Sequence, residues 1–268
     1  MTLFAKHLRQ ETLKMVHRAK ASHIGGALSM ADILAALYGP EGRLRVDPKH
    51  PEWTDRDRFI LSKGHACTSL YAALALSGFF PIEQLKRYAQ DGSPFMSHAS
   101  HKIPGIELST GSLGHGLPVG CGLAYGARLV GASWRTVVLL SDGEMDEGSN
   151  WEAILFAAHH CLGRLWVIID ANRIQSLGFV EDVMRLEPLN EKFLSFGWNV
   201  HTCDGHDETS LRKTLNLDAS LESGKPTVII ARTVKGKGIS FMEDQIAWHY
   251  KSPSDIQLAQ GLVELENA

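Results

Sequence analysis

No stretch of this chain approaches the roughly 18 consecutive apolar residues that a membrane-spanning helix requires. The first fifteen residues are interrupted by Lys6, Arg9, Glu11 and Lys14. They contain no uninterrupted apolar core, so no secretory signal is expected. Cysteine is scarce: Cys67, Cys121, Cys161 and Cys203 lie far apart and match no zinc-ligand spacing. They are expected to be reduced, buried thiols of a cytoplasmic protein. Charge of one sign is also lacking. The formal net charge is −3, with acids and bases interspersed, which argues against a nucleic-acid partner. There is no internal repeat, low-complexity tract or evident linker. Length (268 residues), 44% hydrophobic and 21% charged residues suit one large α/β domain with a substantial core.

Histidine, in contrast, is plentiful, with 13 in the chain. Several sit beside glycine or serine, among them Ser22-His23, Gly64-His65, Ser97-His98 and Gly114-His115. A histidine in such a loop has little packing to do, and any one of them reads most simply as solvent-exposed. Four together suggest a shared polar site.

The hydrophobic pattern predicts a helix up to about Lys20, broken by His23-Ile24-Gly25-Gly26. A second helix is expected from Ser29, with Asp32 three residues on resembling a capping box. Apolar strands are expected at 58–62, 136–140, 165–169 and 227–231, and a weaker one at 199–202. Helices are expected at 116–130, 150–162 and 191–196, and one after Gly64-His65 that Gly78 closes. Near-continuous apolar strands alternating with helices indicate a doubly wound, mostly parallel sheet with helices on both faces. In such sheets ligands bind beyond the carboxyl ends of the strands, at a switch point.

Two strands end there in oxygen-bearing residues. Ser141-Asp142-Gly143 follows one, and Asp170-Ala171-Asn172-Arg173-Ile174 follows the other. Asp142 offers a carboxylate and Asn172 an amide oxygen, a donor chemistry suited to Mg²⁺. Gly143 lets a diphosphate approach the backbone, and the amino end of the helix near Asn150 favours an anion. Singly, Asp142-Gly143 is an ordinary turn and Asn172 an ordinary cap. Together, 30 residues apart, they span one strand–helix–strand unit.

This pair resembles the signature of thiamine diphosphate enzymes, Gly-Asp-Gly followed by a distant Asn, with Ser141 in place of the first glycine. Further segments resemble transketolase over most of the chain. Ala21-Ser22-His23-Ile24-Gly25 is similar to its Ser-Gly-His-Pro-Gly stretch. Arg58-Phe59-Ile60-Leu61-Ser62-Lys63-Gly64-His65 is similar to its Arg-Phe-x-Leu-Ser-x-Gly-His. His98 precedes Pro104-Gly105-Ile106-Glu107 and Thr110-Gly111-Ser112-Leu113-Gly114-His115-Gly116 at the family spacing, but in a Ser-His-Ala-Ser context rather than His-Pro-Glu. Asp142 to Glu147-Gly148 resembles the family's metal loop with its glutamate. Lys235-Gly236-Lys237-Gly238 precedes a loop holding His249, close to the family's further catalytic histidine and aligned with its neighbour.

The resemblance implies the following roles. Asp142, Asn172 and the Ile174 carbonyl would hold Mg²⁺, a site that also accepts Ca²⁺ or Mn²⁺. Gly111 and Leu113 would contact the cofactor ring. His65, Gly143, Glu147 and His249 would join the cofactor-binding set, and His23, His65 and His98 would act on substrate. The expected activity is transfer of a two-carbon ketol unit between ketose and aldose sugars. Full-length transketolases are more than twice as long and add a pyrimidine-binding domain, whose glutamate activates the cofactor. The implied protein is therefore one subunit, residues 1–268 as a single diphosphate-binding domain, of an α2β2 hetero-oligomer, with segment 111–116 mobile until the partner docks. Two other thiamine diphosphate enzymes share the signature: the α subunit of a 2-oxo-acid dehydrogenase and deoxyxylulose-phosphate synthase. A subunit that binds cofactor or scaffolds a partner without catalysis is the reading from a different class. The histidine set and Leu113-Gly114-His115-Gly116 speak against the dehydrogenase.

Overall fold

The structure is a computed structural model and describes residues 1–215 and 224–268. Helices α1 (Leu3–Ala19), α2 (Ile24–Ser29) and α3 (Ala31–Tyr38) lead to strand β1 (Arg58–Leu61) and helix α4 (Cys67–Leu76). Helix α5 (Gly116–Leu129) precedes β2 (Thr136–Ser141), then α6 (Gly148–His159) precedes β3 (Leu165–Ala171). The short helices α7 (Val180–Val183) and α8 (Leu189–Ser195) lead to β4 (Asn199–Asp204), α9 (Glu208–Thr214), β5 (Thr227–Arg232) and α10 (Asp255–Glu266).

The five strands form one parallel sheet in the order β1-β2-β3-β5-β4. The central strands are buried along nearly their whole length, as their unbroken apolar sequences require when both faces are covered. Alternate side chains divide between two cores. Phe59, Val137, Ile168 and Ile229 pack with α1, α3 and α4, whereas Ile60, Val138, Val167 and Ile230 pack with α5, α6 and α8. A third cluster, including Leu13, Ile24, Ile239, Trp248 and Leu265, seats α10 and the loop after β5 against α1 and α2.

Register aligns the strand ends. Leu61 pairs with Leu139, Ser141 with Asp170, and Ala171 with Arg232. The carboxyl ends of β1, β2, β3 and β5 therefore deliver their polar residues to one edge. A buried ionic cluster braces this edge from behind. Arg9 pairs with Asp32 at 2.6 Å, His206 Nδ1 lies 2.8 Å from Asp32, and Val234 N–H donates to His206 Nε2 at 2.8 Å. Burial opposes ionisation of Asp32, but His206 and Arg9 hold its pKa at about 2.

Several expectations are corrected. Ser29 is no helix cap: α2 ends there, Met30 stands between α2 and α3, and the Ser29 hydroxyl donates to Gly26 O and Asp170. Asp32 serves the Arg9 pair instead. Gly25 and Gly26 lie inside α2; the chain breaks earlier, at Lys20 and His23, both at positive φ. Cys161 is exposed in the turn after α6, while the other three thiols are buried, and all four are free. Among the described residues, no helix is long and apolar enough to cross a membrane.

Ile168 is fully buried in the central strand, whereas Leu155 on α6 is 59% exposed. Ile168→Ala should cost about 2–5 kcal/mol, the usual loss plus cavity for such a truncation. Leu155→Ala should stay within about 0.5 kcal/mol, as for a typical surface change. Denaturant titration of the two variants checks the pair, and equal losses would contradict the core assignment.

Candidate functional site

At the carboxyl edge of the sheet lies a cavity of about 240 Å³ lined by His23, Gly26, Lys63, His65, His98, Gly111, Leu113, Ser141, Asp142, Gly143, Asn172, Ile174, Gln175, Ser176, Lys235 and His249. Of the residues expected to bind metal, cofactor or substrate, only Glu147 is absent from this wall. It is exposed, with its side chain beside Gly114. The amino end of α6 is likewise absent from the wall. The positive charge facing the cavity comes instead from the lysines Lys63 and Lys235.

Each wall has a local cause. After β1, Ser62 and Lys63 turn into Gly64-His65, where any Cβ on Gly64 would strike the Thr110 carbonyl at 2.3 Å. The chain can make that close approach only with glycine. The Thr110 hydroxyl donates to Leu61 O at 2.6 Å, and Thr110 N–H to Ala99 O at 3.2 Å. These bonds hold segment 98–111 against the end of β1. Tyr71 donates to His98 O at 2.7 Å and fixes that residue's backbone. The four histidines converge: the His23 ring lies 5.0 Å from those of His65 and His249 and 6.3 Å from that of His98, centroid to centroid. His23 N–H donates to His249 O at 2.8 Å, tying the loop after β5 to the start of α2.

The floor is a buried network around Asp170. Its carboxylate pairs with Lys63, accepts from Ser29 Oγ at 2.5 Å and from Thr233 Oγ1, and lies 3.3 Å from Asn172 Nδ2. Lys63 also donates to Gly26 O at 2.9 Å. Burial alone would raise the Asp170 pKa, yet Lys63 holds it below the ordinary carboxylate value. Asp142 shows the opposite outcome. Burial, then the Asp170 charge, push it up to about 6, although Arg173 N–H and Gly143 N–H both donate to it. Lys235 is lowered to about 8 by burial and by Lys63. Its ammonium donates to the Ile174 carbonyl at 2.9 Å and lies 3.0 Å from His249 Nδ1.

Asp142, the Asn172 amide and the Ile174 carbonyl thus bring three oxygens to one wall. All are hard donors, and the Ile174 carbonyl already accepts from a cation. Asn172 Nδ2 faces Asp170, while Oδ1 accepts Ile174 N–H at 3.1 Å, which fixes how the amide is turned. Among the described residues, no group of three His, Cys, Asp or Glu side chains could hold a metal unaided. An ion here would need oxygens from its ligand, which is how Mg²⁺ sits with phosphates. The donor set fits such an ion, and the lysines fit a diphosphate. Sequence reasoning missed Lys63, Asp170 and Glu144. The signal for Lys63 was its position between a strand end and Gly64-His65. That for Asp170 was an acid closing an otherwise apolar strand.

Burial and cationic neighbours lower the histidines. His23 falls to about 4 through burial, His98 and Lys235; His249 falls to about 3 through burial, Lys235 and His23; His65 lies well below its usual value through burial and Lys63. At neutral pH these three rings are uncharged. Below about pH 6.5 an unfolded histidine binds a proton that the folded one refuses, so each contributes stability that is lost as pH falls. Asp142, raised, acts in the opposite sense between about pH 6 and 4, so total stability mixes both. The variant His249→Asn isolates one group. Its thermal midpoint relative to wild type should improve as pH falls from 7 to 4.5; a gap independent of pH would show that His249 is not held neutral.

Comparison with known proteins identifies the family of the chain. Residues 2–258 match the family described as "Transketolase, thiamine diphosphate binding domain". The chain is 42% identical over 265 residues, 98% of its length and 95% of the relative's, to a protein of Actinobacillus succinogenes named as a subunit of apulose-4-phosphate transketolase. It is 38% identical over 263 residues, 98% and 94% of the two lengths, to 6-deoxy-6-sulfo-D-fructose transketolase subunit SqwG of Clostridium sp.. Among solved structures, it superposes on transketolase from Campylobacter jejuni with a TM-score of 0.90 at 31% identity, and on that from Leishmania mexicana with 0.90 at 30%. It covers 98% of its own length in both, but only 42% and 41% of those two chains.

Proposed function

Because the chain belongs to the transketolase family, matching its thiamine diphosphate-binding domain, we propose that it is the cofactor-binding subunit of a split transketolase. It works with a second subunit to transfer a two-carbon ketol unit between sugars. The observation that carries this reading is the single cavity in which the Asp142–Asn172–Ile174 oxygens, two buried lysines and four histidines meet. Residues 1–268 are read as one diphosphate-binding domain.

In this reading Asp142, Asn172 and the Ile174 carbonyl hold Mg²⁺, and Lys63 and Lys235 balance the diphosphate's negative charge. Gly111 and Leu113 form the wall for the ring. When bound, thiamine diphosphate supplies the nucleophile and electron sink for carbon–carbon cleavage. The chain's own part is to place the sugar and move its protons. His23, His65 and His249, uncharged at neutral pH, can each accept a proton from a hydroxyl or donate a hydrogen bond to one. His98 completes the ring of imidazoles over the cavity. Mg²⁺ held there would compensate the buried charge of Asp142, which burial and Asp170 otherwise disfavour.

Both relatives carry names that make them single subunits of a transketolase, which supports a partner subunit here. In the family the pyrimidine-activating glutamate lies on the pyrimidine domain, and that domain is what the partner would supply, in an α2β2 assembly. Large apolar side chains within two residues of cavity residues in the chain are exposed: Leu177 at 79%, Tyr250 at 62% and Met96 at 56%. Such a surface suits a docked subunit. Glu147, exposed beside Gly114, would stand at that junction. The names of the two relatives suggest a ketose with an anionic tail, phosphate or sulfonate, as the donor class. Free cysteines throughout accord with a reducing, cytoplasmic setting.

Asp142→Ala should abolish Mg²⁺-dependent binding of thiamine diphosphate, read by titration calorimetry with and without the metal. Unchanged affinity would remove Asp142 from the metal site. Ketol transfer should appear only when the chain is combined with a pyrimidine-domain partner, and His65→Ala should lower that turnover by about 10²–10⁴. An ordinary turnover by the chain alone would overturn the split-enzyme reading.

A further inference from the structure

Glu144 is fully buried, does not line the cavity, and yet bonds to three loops that do. One carboxylate oxygen accepts from Ser62 Oγ at 2.5 Å and from Gly114 N–H at 3.0 Å. The other accepts from Ser141 N–H at 3.4 Å. Ser62 Oγ in turn accepts Gly116 N–H at 3.1 Å. The Glu144 carbonyl accepts from Asn150 Nδ2 at 2.7 Å, and Ser149 Oγ donates to Gly114 O at 2.7 Å. The segment carrying Gly111 and Leu113 is therefore held from below at Gly114 and Gly116. The same carboxylate reaches the residue before Asp142.

We infer that Glu144 is a positioning residue: its carboxylate fixes the Gly111–Leu113 wall relative to the Asp142 loop, so that both ends of one elongated ligand are engaged at once. The inference rests on the cofactor reading above, in which the ring lies on the first wall and the diphosphate on the second. A carboxylate is a poor space-filler. Burying it costs several kcal/mol unless it is paired or hydrogen-bonded. An apolar residue would fill the space at no such cost. It could not accept from donors on three separate chain segments, and that is the function assigned to the carboxylate. The 3₁₀ turn Gly143–Asp146 places it there, directly below the loop of Asp142.

The test uses calorimetry on the full chain with Mg²⁺ and two titrants, thiamine diphosphate and inorganic pyrophosphate. Pyrophosphate engages only the second wall. Glu144→Ala should weaken thiamine diphosphate about ten- to hundredfold, the loss of one charge-assisted hydrogen bond. Pyrophosphate affinity should hardly change. Glu144→Gln retains one oxygen for Ser62 and Gly114 and should recover most of the loss. If Glu144→Ala does not fold, Ser62→Ala, which cuts the Gly116 link, should show the same selective weakening. Equal loss of both titrants, or loss of neither, overturns the positioning role while leaving the cofactor reading intact. A wild-type chain that binds pyrophosphate as tightly as thiamine diphosphate has no working ring wall, and the inference falls. Binding of neither titrant by wild type would overturn the cofactor reading itself.

Discussion

The buried pair of Lys63 and Asp170 is the constraint on which the carboxyl edge of the sheet depends. Neither side chain reaches solvent. They come from the ends of β1 and β3, which flank β2, so the pair spans the strand that delivers Asp142. Asp170 also holds Ser29 of α2 and Thr233 after β5. One carboxylate thereby joins four chain segments. Removing either partner of such a pair typically costs about 3–5 kcal/mol, because the survivor remains buried and uncompensated. The pair is not an efficient way to stabilise a fold, since well-packed apolar residues would serve as well. Its use lies in the arrangement it enforces. Asn172 lies two residues beyond Asp170, with its amide nitrogen turned toward that carboxylate and its oxygen accepting the Ile174 N–H.

The same pair sets the electrostatics of the cavity. The charge of Lys63 is taken up by Asp170, which leaves Lys235 as a second, less well balanced cation. Lys235 is pulled toward neutrality by burial and by Lys63, and it rests on the Ile174 carbonyl and His249. Around these cations three histidines cannot easily take up protons. Beside them Asp142, facing Asp170, gives up its proton only above about pH 6. The charges are thus mismatched in both directions, with Lys235 in need of an anion and Asp142 in need of a cation. A ligand that brings a divalent cation and a polyanion together answers both at once. A lone anion would face Asp142, and a lone cation would face Lys235.

The fold was legible in the sequence because one-dimensional signals controlled it. Uninterrupted apolar runs such as 136–140 and 165–169 can be buried on both faces only in a covered parallel sheet, and β2 and β3 lie where those runs stand. The helix 116–130 was equally clear, since small residues such as Gly120 admit close packing on the sheet: a Cβ there would meet Val138 at 2.5 Å. Where the reading failed, a tertiary partner had displaced a local rule. Ser29 and Asp32 have the spacing of a capping box, but Asp170 takes the serine and Arg9 takes the acid. Both partners are remote in sequence, and a buried charge outweighs a cap worth about 1 kcal/mol.

For the candidate site the division runs along the same line. Residues expected to meet ligand directly announce themselves by type and context: histidines beside glycine, an acid after an apolar strand, an amide one strand–helix–strand unit later. All but Glu147 line one cavity. The residues that hold them do not, because their evidence is a contact and not a composition. Glu144 sits in an acidic run, Glu144-Met145-Asp146-Glu147, in which the sequence offers three acids and no way to choose. Folding resolves the choice, since Asp146 and Glu147 turn outward while Glu144 is fully buried. Segment 111–116 shows the consequence. Read alone, it is a glycine-rich loop with nothing to hold it until a partner arrives. In the fold it is tethered at Gly114 by Glu144 and at Gly116 by Ser62, so its glycines provide clearance and not slack. A Cβ on Gly116 would lie 2.3 Å from Ser62 Oγ, and one on Gly114 2.5 Å from Ser149 Oγ. The bare backbone is what allows the tethers to be short.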